Sequence, residues 1–138
     1  MKANELSEKE LRIGNKILGI YIDDCDNHID ERCTVLALDS IGTSEHKIWV
    51  ESENTVYDDY DYFEGIPLTE DWLKRFGFKE SGLYWLDSHD ELLSYSFKKN
   101  TIAIGRMGIY FENKIHYVHQ LQNLYFALTG EELKSLEK

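Results

Sequence analysis

Hydrophobic and polar positions change their period along this chain, and the changes divide it into elements. From Leu11 the apolar residues are β-branched or bulky and are interrupted by Gly14-Asn15 and Gly19, which predicts short strands over about Arg12 to Ile22. Asp23 to Arg32 is acidic and turn-rich and reads as a loop, after which Thr34 to Asp39 and Lys47 to Glu51 give two further strands joined through Gly42. The expected result is an antiparallel β meander over about residues 11–51, curled toward a small SH3-like barrel. Ahead of it, Ser7 and Glu10 fit a capping box for a single helical turn.

Glu51 to Glu64 holds six acidic residues and no basic one, interleaved with Tyr57, Tyr60, Tyr62 and Phe63. Self-repulsion keeps such a run solvated, so residues 52–65 are expected to form a long acidic loop. A helix follows: Thr69 can cap it, Glu70 and Asp71 sit where the helix dipole favours acids, Gly77 can close it, and Trp72, Leu73 and Phe76 form its apolar stripe. The pattern then returns to period two over Gly82 to Leu86, Leu92 to Phe97, Thr101 to Ile104 and Gly108 to Glu112. Lys99-Asn100 and Gly105 to Gly108 supply the turns. Ile115 to Tyr117 leads into a helix from about Val118 to Leu128 with Tyr117, Leu121, Leu124 and Leu128 on one face. Thr129 and Glu132 suggest a last short helix carrying Leu133 and Leu136. The fold class is α+β, in one domain over residues 1–138: meander, short helix, further β-hairpins, C-terminal helix.

Composition narrows what such a domain does. Fifteen basic residues against 26 acidic ones give a net charge of −11, which opposes a nonspecific grip on nucleic-acid phosphates or anionic membranes. No run approaches the length of a membrane helix and Met1 to Leu11 lacks an apolar signal core, so the expected location is the cytoplasm. Cys25 and Cys33 are too far apart for a redox pair or a zinc knuckle, and two reduced thiols are expected.

Motifs for chemistry are sparse. Gly105-Arg106-Met107-Gly108 lacks the spacing of a phosphate loop, and the loop starting at Asp24 has Ile29 where a calcium loop needs glycine. No nucleophile elbow or papain-like cysteine context is present. His116 and His119, with Glu112 a turn earlier, are the one set of candidate metal ligands, and nothing in the sequence fixes a fourth ligand. No cofactor is expected.

Ile115 to Gly130 contains no Lys, Arg, Asp or Glu, although 30% charged residues overall would place about five there. Opposite the apolar stripe lie His119, Gln120, Asn123 and Phe126, which can hydrogen-bond a defined neighbour without the cost of burying ions. Two readings follow: that side packs on the protein's own sheet, or it faces a protein partner, a second copy of the chain included. The acidic strip Tyr57, Asp58, Asp59, Tyr60, Asp61 and Tyr62 offers aromatic anchors in a negative field, a composition suited to a basic protein surface.

Three segments, Leu11 to Asn15 (LRIGN), Ile66 to Phe78 (IPLTEDWLKRFGF) and Tyr117 to Leu133 (YVHQLQNLYFALTGEEL), resemble a family of small uncharacterised proteins from gut Bacteroidetes and their phages and prophages. The resemblance implies a shared fold and a phage or mobile-element origin, and it brings no catalytic residue or ligand with it. The resulting expectation is a non-enzymatic accessory protein acting through a protein partner, for example an acidic decoy against a host defence protein. The alternatives are a virion or assembly component, or a metal-binding protein or enzyme centred on His116 and His119.

Overall fold

A computed structural model of the chain describes residues 6, 10–38, 48–52, 60–82, 84–87, 93–104, 109–112 and 114–133. The chain is mixed α+β, as expected, and gathers into two compact units, each described by itself. The first comprises residues 1–67 and 117–123, the second residues 68–116 and 124–138. The capping box at Ser7, the turn at Gly42, the turn at Gly105 to Gly108 and a helix reaching Leu136 fall outside the described residues.

The first unit is built on an antiparallel sheet ordered β3-β2-β1-β4, with β1 at Lys16–Ile22, β2 at His28–Leu38, β3 at Ile48–Ser52 and β4 at Tyr62–Gly65. Two expectations are corrected. The expected loop of Asp23 to Arg32 shrinks to a tight turn, because β2 starts at His28 and pairs with β1 from Ile22↔His28 to Lys16↔Thr34. In that turn Asp23 accepts the backbone N–H groups of Cys25 and Asn27, and Asp26 adopts a positive φ of 63°. The expected loop of residues 52–65 ends in a strand, β4, which pairs with β1 through Gly19↔Phe63 and Ile17↔Gly65. Among the described residues β3 and β4 stand at opposite edges of the sheet and do not pair, so the meander is open and does not close into a barrel.

One face of this sheet carries the core: Ile17, Cys33 and Val35 pack with Leu6 and Leu11, joined by Leu38, Ile48, Val50, Tyr60 and Phe63. A bulge between Val35 and Ala37 shifts the register against β3. The second unit contains α1 at Glu70–Arg75 and a five-stranded antiparallel meander in chain order, β5 (Lys79–Ser81), β6 (Tyr84–Leu86), β7 (Leu93–Ser96), β8 (Thr101–Ile104) and β9 (Ile109–Glu112). Helix α1 follows its sequence signals: Thr69 Oγ1 accepts the Trp72 N–H, Gly77 at φ 85° donates to the Lys74 carbonyl, and Phe78 N–H reaches back to Leu73, the paired bonds of a Schellman stop. The β7–β8 hairpin turns through Phe97 to Asn100, with Asn100 at φ 50°.

Helix α2 runs from Val118 to Thr129. Its buried stripe is Val118, Leu121, Gln122 and Tyr125 with His119 alongside, whereas Leu124 is half-buried and Leu128 is exposed. The buried face is therefore turned from the expected Tyr117, Leu121, Leu124, Leu128 line, because polar Gln122 and His119 take interior positions. No helix covers residues 131–133: Thr129 Oγ1 donates to the Tyr125 carbonyl and accepts the Glu131 N–H, which closes the chain into a turn.

Candidate functional site

The sequence-nominated residues separate into an interior set and a surface set. In the first unit, the start of α2 is capped. Val118 N–H donates to the Ile66 carbonyl at 2.8 Å, and Gln120 Oε1 accepts the Tyr117 N–H at 3.1 Å, the return half of a capping box. Gln120 thus spends its side-chain oxygen within its own helix.

The next turn clasps the segment that leads into β1. Gln122 Oε1 accepts the Lys16 N–H at 2.8 Å and its amide donates to the Gly14 carbonyl. Asn123 Oδ1 accepts from Asn15 at 2.9 Å, and Asn123 donates to the Glu10 carbonyl. Asn15, fully buried, also accepts the Arg12 N–H at 2.7 Å. Uncharged amides serve here because each buried polar atom finds a partner without the cost of desolvating an ion. His119 is 1% exposed, stacks on Tyr117 at 5.9 Å and lies 3.5 Å from the Glu10 carboxylate, an electrostatic contact rather than a hydrogen bond. Burial holds its pKa below the ordinary imidazole range, with Glu10 acting in the opposite direction. Within the uncharged stretch, His119 and Asn123 thus contact residues 10–15 of the same chain, while Phe126, farther along α2, is 39% exposed.

His116 and His119 occupy different settings. His116 is exposed, its carbonyl accepts the Leu68 N–H, and Glu112 sits 3.6 Å from Lys114. Among the described residues no three His, Cys, Asp or Glu side chains gather to hold a metal ion.

In the acidic aromatic strip, Tyr57, Asp58 and Asp59 lie outside the described residues. The remainder engages the first sheet. Asp61 accepts the Ile22 N–H at 2.7 Å, and Tyr62 hydrogen-bonds His28 at 3.0 Å. Tyr60 turns inward over Gly19, where a Cβ would sit 2.6 Å from its ring, and donates to Glu31 Oε2 together with Ser52 Oγ. Burial pushes the Tyr60 phenol above the ordinary tyrosine range. Glu31 is buried, and its Oε1 has no hydrogen-bond partner among the described residues. Both hydroxyls spend their protons on one carboxylate oxygen, so the cluster ties β2 to β3 and to the approach to β4 rather than activating a nucleophile.

The surface set that the sequence reading missed lies on the other face of this sheet. Leu36 is 51% exposed and Trp49 is 40% exposed. Trp49 pairs in register with Ala37, and the bulge places Leu36 beside that position. Strand β3 alternates half-buried and exposed residues, so Trp49 and Glu51 share the outward face. The signal was available in the runs Val35-Leu36-Ala37 and Ile48-Trp49-Val50, since consecutive apolar residues in a strand with one buried face must send one outward. No helix among the described residues is long and apolar enough to cross a membrane. No protein-family model, curated protein or solved structure matches the chain.

Proposed function

We propose that this chain is a non-enzymatic interaction module, an accessory protein of a phage or mobile element, that binds a basic protein through the outward face of its first sheet. The observation that carries the reading is the exposed Leu36–Trp49 pair beside Glu51, at the head of a run from Glu51 to Glu64 with six acids and no base. Large apolar anchors bordered by like charge suit a partner of opposite charge, the anchors supplying affinity and the field supplying encounter rate and selectivity. Phage or mobile-element origin rests on the resemblance of the LRIGN, IPLTEDWLKRFGF and YVHQLQNLYFALTGEEL segments. An acidic decoy that occupies the nucleic-acid groove of a host defence protein is the specific form this reading takes.

Affinity capture with the tagged chain tests it, with Trp49→Ala run in parallel after its circular dichroism has been matched to the wild type. The expected outcome is a discrete basic protein retained at low salt, released at about 0.5 M salt, and lost or strongly reduced with Trp49→Ala. Equal capture by both forms, or a partner held independently of salt, contradicts the reading. A virion subunit as the captured protein would assign the same surface to assembly.

A further inference from the structure

We propose that the free edge of β3 is a docking site for an extended basic segment of the partner, which joins the first sheet as a further strand beside Ile48–Ser52. The inference rests on the proposed function and adds the mode of recognition to it. Among the described residues β3 pairs with β2 alone, and no strand stands beyond it. The opposite edge differs, because there the Leu6 N–H meets the Phe63 carbonyl of β4 at 2.8 Å. The backbone groups that point off the β3 edge follow from the register. Val35 donates its N–H to the Asn15 carbonyl at 2.9 Å, and its carbonyl accepts the Gly14 N–H at 2.8 Å, both on the β1 side. Val35 therefore exchanges no hydrogen bonds with Val50, the residue opposite it in β3. Val50, and Ile48 two residues before it, thus turn N–H and C=O away from β2, and among the described residues neither has another hydrogen-bond partner.

An open strand edge can pair with any extended chain, and folded proteins usually guard it with proline, lysine or a covering segment. Strand β3, Ile48-Trp49-Val50-Glu51-Ser52, contains neither proline nor lysine. Its side chains select what docks. Exposed Trp49 and Glu51 share the outward face, with exposed Leu36 beside Trp49. A strand added along β3 sets its own outward side chains against these, as cross-strand neighbours about 5 Å apart between Cβ atoms. An apolar residue there covers Trp49, and a lysine or arginine two residues away meets Glu51 at the head of the acidic run to Glu64. Charge decides the occupant: a second copy would bring two such runs together, whereas a basic segment neutralises one.

Amide exchange followed by NMR reads the edge in the full chain, with a peptide alternating lysine and valine as the probe and one alternating glutamate and valine as the control. In the free chain the amides of Ile48 and Val50 are expected to exchange faster than those of Trp49 and Glu51, which point at β2. With the lysine peptide at about 1 mM, protection at Val50 should rise about threefold or more, and the glutamate peptide should leave it unchanged. Slow exchange at Val50 in the free chain, or no gain with the lysine peptide, overturns strand addition. Protection that grows with the concentration of the chain alone assigns the edge to a second copy and overturns the basic occupant. A lysine peptide that shifts the Trp49 indole but leaves Val50 unprotected also overturns strand addition, while the proposed function stands. The proposed function fails separately, when Trp49→Ala captures the same protein as the wild type. Val50→Pro removes an outward N–H and no bond to β2, so the peptide should no longer protect Ile48 while the amides between β1 and β2 are unchanged. An equal gain at Ile48 in wild type and Val50→Pro overturns the proposal.

Discussion

Gly19 and Gly65 each lie under an aromatic ring at the place where a side chain would sit. A Cβ on Gly19 would meet Tyr60 at 2.6 Å, and one on Gly65 would meet Tyr117 at 2.7 Å. Both glycines lie in strand pairs of the first sheet, where the missing side chain lets a tyrosine ring rest on the backbone. Gly19→Ala is expected to lose about 1–3 kcal/mol, the usual cost of overpacking, read as a lower midpoint in urea with an unchanged slope. An unaltered midpoint would mean that Tyr60 does not hold this position in solution. Tyr60 matters beyond packing, because its hydroxyl and that of Ser52 meet the buried Glu31 carboxylate. That cluster was invisible in the sequence. A charged residue at an inward strand position looks, one residue at a time, like part of an exposed loop, and only the register with Gly19 shows that Glu31 points in.

At the scale of elements, α2 combines a capped, buried start with an exposed end. Leu121→Ala is expected to cost about 2–5 kcal/mol as a cavity mutation, whereas Phe126→Ser should stay within about 0.5 kcal/mol. Thermal or urea unfolding checks both, and comparable losses at the two positions would contradict the assignment of faces. Helix α1 was legible in full because its cap, first-turn acids, apolar stripe and closing glycine all agree locally. Two strands and the first half of a third were missed, for separate physical reasons. The first half of β2 hides its alternation of Ile29, Glu31 and Cys33 behind a charged outer face. Strand β4 sits at the end of an acidic run whose composition reads as solvated, and β5 is exposed at all three residues and offers no apolar period. The barrel closure expected of the meander depended on pairing between distant strands, which local pattern does not encode.

For the molecule as a whole, one sequence anomaly has two explanations along its length. The charge-free stretch from Ile115 to Gly130 is uncharged at His119, Gln122 and Asn123 because those side chains are buried or bonded to residues 10–16 of the same chain. At Phe126 and Leu128 it is uncharged and yet exposed. The excess of acid over base is a surface property that salt screens, and in the proposed function the exposed Trp49 and Leu36 are its apolar anchors. Residue-resolved amide exchange along α2, compared between the wild type and Gln122→Ala, tests this division most directly. Slow exchange at Val118 and Leu121, faster exchange toward Leu128, and loss of Lys16 protection in Gln122→Ala are the results expected. Uniformly fast exchange along the helix, with Lys16 indifferent to the substitution, would show that residues 10–16 are not held by α2.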